Sequence, residues 1–110
     1  MKYINLTPHE IKLNDGAIFP PSGKVARVES VIKPIEHNLS PYSAFTEVYG
    51  DVKNLPKPSP ETYYIVSGVV FSNTNRLDVV KPATGHKDVC RNDSGHILSV
   101  PGFIYKQYLK

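Results

Sequence analysis

The chain has 110 residues and a formal charge of +3, with 40% hydrophobic and 21% charged residues. That length suits one domain around one core, and the composition excludes a disordered or fibrous chain. The lone cysteine, Cys90, excludes an internal disulfide and a cysteine-based zinc site within one chain.

No apolar run approaches the ~20 residues that cross a bilayer. The opening MKYINLTPHE lacks the basic-then-apolar pattern of a secretory signal. A cytoplasmic protein without a membrane partner is therefore expected. Residues 1–52 carry five Lys/Arg against six Asp/Glu, whereas residues 53–110 carry eight against four. Such a surplus suits a small anion, but the basic residues are scattered, which argues against long nucleic acid; a solvated surface is the plainer explanation.

Ten prolines and seven glycines cut the chain into short pieces, and proline both ends a helix and restricts the residue before it. The expected fold class is α+β, mainly β. A compact single domain over residues 1–110 would hold a mixed or antiparallel sheet and at most one or two short helices. KYINL and HEIKL read as two short strands separated by Thr7-Pro8, because proline in a strand is tolerated at an edge or a break. Asp15-Gly16 predicts a type I′ hairpin joining IKLN to AIF. After the turn PPSG, KVARVES alternates like a strand, with its inward face undetermined.

AFTEVYGDV has the β-branched and aromatic content of a strand, and NLPKPSPET reads as an exposed extended loop, since its prolines offer no backbone donors. In the most hydrophobic stretch, YYIV is a buried strand. VVFSN either continues it or makes one or two helical turns capped by Ser67; strand followed by short helix is the reading adopted, because the unbroken alternative is long for so small a domain. LDVVKP forms a further strand ending at Pro82. KDVCR, the turn NDSG and HILSV form a hairpin with Cys90 as buried filler, and GFIYKQYL supplies a last strand.

Candidate binding residues come from polar groups at breaks and turns. Thr7 and His9 sit at the kink, where a hydroxyl and an imidazole can face a ligand; local geometry is the plainer reading. Arg76 and Asp78 flank the start of an apolar strand, where they either pair with each other or lend an arginine fork to phosphate. Arg91 and Asn92 offer a second donor and acceptor cluster at the last hairpin. With Ser67 on ribose or base edges, one of Tyr63, Tyr64 or Phe71 would stack on a base. The histidines His9, His37, His86 and His96 include no pair at helical metal spacing, and no phosphate loop or nucleophile elbow is present, so neither a metal nor a cofactor nor a catalytic group is expected.

INLTPHEI, FPPSGKVARV, YIVSGVV, NRLDVVKP and VCRNDSGHIL together resemble a group of short bacteriophage and prophage proteins that begin with an Asn-Leu-Thr-Pro-His phrase. The resemblance spans most of the chain, with residues 31–60 least covered, and brings no assigned activity. In size and pocket composition the chain is also similar to phage sponge proteins that sequester nucleotide signals of bacterial immune systems such as Thoeris and CBASS. That similarity implies a non-enzymatic, nucleotide-binding homo-oligomer in the cytoplasm of an infected bacterial host. The alternative expectation is a phage structural or protein-interaction module without a small-molecule ligand.

Overall fold

The computed structural model describes residues 1–36 and 41–106. Its strands are β1 (Lys2–Asn5), β2 (Ile11–Lys12), β3 (Ile18–Phe19), β4 (Arg27–Pro34), β5 (Phe45–Lys53) and β6 (Thr62–Ile65). Helix α1 (Gly68–Ser72) follows, then β7 (Val79–Pro82), β8 (Cys90–Arg91), β9 (Ile97–Ser99) and β10 (Phe103–Tyr105). The described residues are mostly β, with one short helix, as the proline content implies. No helix among the described residues is long and apolar enough to cross a membrane. His37 and the last residues of GFIYKQYL lie outside the described residues.

A four-stranded mixed sheet, in the order β1-β6-β7-β10, organises the molecule. β1 and β7 both run parallel to β6, and β10 closes the sheet antiparallel to β7. Both faces of the central pair are covered, which is why TYYI and VV read as continuous apolar runs rather than alternating ones. On one face Tyr64, Val66 and Val79 pack with Leu6, Ala26 and Val70 of α1. On the other, Ile65 and Val80 pack with Ile11 and Val100 from the two small hairpins. Ala26 and Val28 mark the inward side of KVARVES.

Ser67 caps α1 as its spacing implies: it holds extended backbone angles and its hydroxyl accepts from the Val70 amide at 3.5 Å. The helix stays at five residues because two of them are valine and the chain needs only a short crossover between parallel neighbours.

Two local expectations are corrected. The β2–β3 hairpin does not close in a type I′ turn, which would need positive φ at both central residues. Gly16 has φ +96° but Asp15 does not share it, and the Leu13 carbonyl accepts from Gly16 while the Leu13 amide donates to Ala17. This is a three-residue loop with glycine at the left-handed position. The β8–β9 hairpin repeats it, with Gly95 at φ +83° and the same pair of bonds from Asn92 to Gly95 and His96. Cys90 is exposed rather than buried. Val89 takes the inward place instead, and a register shift between Cys90 and Arg91 breaks the alternation on which the burial of Cys90 depended.

β4 and β5 form a separate two-stranded ribbon. Its base, the cross-strand pair Val28 and Val52, packs on the core. A register shift between Val28 and Ser30 re-aims the strands, and beyond it nearly every described side chain is exposed. The radius of gyration, 16.8 Å, exceeds the ~13 Å usual for a globular chain of this length because this arm projects from a compact body.

Candidate functional site

A concavity of about 560 Å³ opens where the three parallel strands end. β1 runs out into Thr7, Pro8 and His9; β6 into Val66, Ser67 and Gly68; β7 at Lys81 and Pro82, then on to Thr84. Ile11 and Lys12 of β2, Ile97 to Ser99 of β9 and the following Val100 complete the wall. Open parallel sheets present ligands at this end, because the strands' carboxyl ends diverge into loops there.

The Thr7-Pro8-His9 kink is built by a residue inside β1. Asn5 is buried, and its side-chain amide donates to the carbonyls of His9 at 2.8 Å and Phe19 at 2.9 Å. Its Oδ1 accepts from the Thr7 amide at 2.9 Å and the Thr7 hydroxyl at 2.7 Å. All its capacity therefore goes into folding the turn over β3. The Thr7 hydroxyl is occupied in the same way, since Oγ1 also accepts from the His9 amide at 3.4 Å. Proline 8 has no amide to satisfy, which suits the tip of such a turn. His9 is exposed at the cavity rim.

Sequence reasoning passed over Asn5; the cue available was an Asn two residues before a Thr, the spacing of an Asx turn.

The lining is mainly apolar. Its charged residues are Lys12 and Lys81, and no Asp or Glu lines it among the described residues. Lys81, half-buried on β7, places its ammonium 5.0 Å from the centre of the Phe71 ring, and Lys106 approaches the same ring at 4.4 Å. Neither lysine has an ion-pair partner among the described residues. Ser99, at the far wall, donates its hydroxyl to Asn14 Oδ1 at 2.6 Å, and Asn14 in turn donates to the Asp88 carbonyl. These bonds tie the two hairpins together and hold the β9 wall in place.

Of the residues singled out from the sequence, Thr7, His9 and Ser67 meet in this cavity. Phe71 lies just outside it, linked through Lys81. Arg76 and Asp78 precede β7 and therefore sit at the opposite end of the sheet. They bind each other in a two-pronged pair, Nε to Oδ1 at 2.9 Å and Nη2 to Oδ2 at 2.6 Å, with the guanidinium 5.7 Å from the Tyr64 ring centre. That carboxylate holds the Arg76 pKa above its usual value. Arg91 and Asn92 serve the last hairpin: Arg91 donates to the Gly95 carbonyl at 2.8 Å, and Asn92 Oδ1 accepts from Ser94 and His96. Neither lines the cavity. Lys12 and Lys81 take the place the arginines were expected to fill. A lysine in an alternating strand carries no local mark of its position, so only the sheet reveals them.

No group of His, Cys, Asp and Glu among the described residues is arranged to hold a metal. Compared with known proteins, the chain matches no family model, no curated protein and no solved structure.

Proposed function

We propose that the protein captures a small, nucleotide-derived anion in the cavity at the ends of β1, β6 and β7, and holds it without turnover. The observation that carries this reading is the lining itself. Two lysines without acidic partners stand beside an apolar wall of Pro8, Ile11, Val66, Pro82 and Leu98. Its volume falls within the range of small-molecule pockets. Lysines suit phosphate as point charges, and the apolar wall suits the flat body of a base. His9 and Ser67 would meet ribose or base edges. A lining without a converging acid and base favours capture over catalysis.

The phage setting rests on the resemblance of the Asn-Leu-Thr-Pro-His phrase and its companions, and the capture of a host immune signal on the separate similarity in size and pocket composition to phage sponge proteins. A thermal-shift panel of cyclic dinucleotides, cyclic trinucleotides and ADP-ribose isomers tests the reading. A true ligand at a hundredfold its Kd adds about 2.7 kcal/mol of stability, many degrees of Tm for a domain this size. No shift with any of them at saturating concentration overturns it.

The second reading, an interaction module without a small-molecule ligand, is favoured by the exposed apolar side chains of the β4–β5 ribbon. It predicts no shift in that panel.

A further inference from the structure

Nine lysines fall among the described residues, and seven of them are exposed. The two that are not, Lys81 and Lys106, converge on one phenyl ring. Lysine ordinarily buries its stem and keeps its ammonium in water, so two half-buried lysines at one spot call for a physical reason.

The sheet brings them together. Lys81 stands opposite Ile104 in the antiparallel β7–β10 pair, and Lys106 follows Ile104 by two residues, which returns it to the same face. That face is the one α1 covers. Val79, two residues before Lys81, packs with Val70, and Phe71 follows Val70 on the helix. The Phe71 ring thus receives Lys81 Nζ at 5.0 Å and Lys106 Nζ at 4.4 Å from its centre.

Nothing nearby balances the two charges. Neither ammonium forms an ion pair or a hydrogen bond among the described residues. The sequences of α1 (GVVFS), β7 (VVKP) and β10 (FIY) contain no Asp or Glu. A phenyl ring attracts a cation through its quadrupole but carries no net charge to neutralise it. Each ammonium therefore keeps its three donors for something else. A bound anion would relieve the repulsion between the two like charges and take up those donors together.

The form of the pair selects the anion. Two lysines are point charges on separate stems, so they suit a group whose own charge is divided between two centres; a diphosphate has that form and a single carboxylate does not. Lys81 also lines the cavity at the end of β7. A ligand anchored beside Phe71 by its phosphates can therefore lay the rest of its body against the apolar wall.

We infer that Lys81 and Lys106 grip a diphosphate beside Phe71, and that the cavity's ligand is a diphosphate ester rather than a phosphodiester whose phosphates are separated by sugars. The second half of this inference rests on the cavity reading given above; the first half does not.

Isothermal titration calorimetry of the full chain with inorganic pyrophosphate, at fixed ionic strength, tests the lysine pair by itself. Saturable one-to-one binding is expected, tighter than that of orthophosphate. Lys81→Gln and Lys106→Gln should each weaken it by about tenfold or more, as the loss of one charge-assisted contact implies, and Lys106→Arg should retain it. Lys33→Gln removes the same charge from the exposed arm and should leave the affinity unchanged. Lack of saturable binding overturns the inference, as does orthophosphate binding equally well. A loss in Lys33→Gln as large as that in Lys106→Gln also overturns it, since that marks diffuse attraction to a basic protein. Lys106 makes no hydrogen bond, so Lys106→Gln stays informative if Lys81→Gln disturbs the sheet. The nucleotide panel decides the cavity separately. Pyrophosphate binding with no nucleotide bound upholds the lysine pair and removes the cavity ligand, whereas a nucleotide held equally well by Lys106→Gln upholds the cavity and overturns this inference.

Discussion

Asn5 has the most concentrated role of any single residue. One buried amide satisfies the carbonyls of His9 and Phe19 and the amide and hydroxyl of Thr7. Asn5→Ala leaves those groups without partners where water is excluded, so a loss of about 2–3 kcal/mol is expected from urea unfolding. Asn5→Asp should be at least as damaging, because it sets carboxylate oxygens against two carbonyls. Thr7 and His9 were legible in the sequence as the unusual residues of the kink. Asn5 was not, since its function depends on Phe19, fourteen residues further on.

Tyr105 makes a second residue-scale prediction. Burial, assisted by its hydrogen bond with Tyr3, pushes its pKa from 10.0 up to about 12. The folded state therefore keeps the proton more tightly than the unfolded chain. Its contribution to stability is whole below pH 10 and disappears as pH rises towards 12. Absorbance titration should show a late-ionising tyrosine that Tyr105→Phe removes, together with that part of the alkaline destabilisation.

Among the elements, the two small hairpins are the most transparent case. Both close with the same loop, glycine lying at φ +96° in one and +83° in the other. Open space surrounds both glycines, so substitution costs only backbone strain. Gly16→Val and Gly95→Val should each lower stability by about 1–2 kcal/mol, and Asn in either place by less, as urea midpoints would report. The turn residues Asp15-Gly16 and Asn92 to Gly95 located both hairpins from sequence. The loop type did not follow from them, because choosing between a two-residue and a three-residue loop depends on strand register, and register is decided by what each strand packs against.

The central strands set a different limit. β6 and β7 are apolar on both faces, so their existence was plain while their direction was not. Parallel pairing through a five-residue helix leaves no trace in composition. Ile65, fully buried between β1 and β7, is the element's most sensitive point: Ile65→Ala should cost about 2–5 kcal/mol.

For the whole molecule, the sheet separates the polar residues into two populations. Thr7, His9 and Ser67 fall at the carboxyl ends of the parallel strands, while Arg76 and Asp78 fall at the other end and satisfy each other. This division yields a contrast. Lys81→Glu should abolish stabilisation by any anionic ligand that binds the cavity, whereas Arg76→Ala should lower Tm, by leaving Asp78 half-buried without its partner, and keep the ligand-induced shift. Calorimetry on both variants with the same ligand checks it.

The chain by itself determined its β-rich character, the places where it breaks and the cap at Ser67, because proline, glycine and side-chain alternation act over a few residues. Tertiary structure alone decided that Lys12 and Lys81 converge on one cavity, that Cys90 faces outward and that β4 and β5 leave the body as an arm. Each of those outcomes depends on strand order, or on a one-residue shift in pairing that reverses which side of a strand faces inward. Such shifts are settled by contacts between segments far apart in the chain, where no local pattern records them.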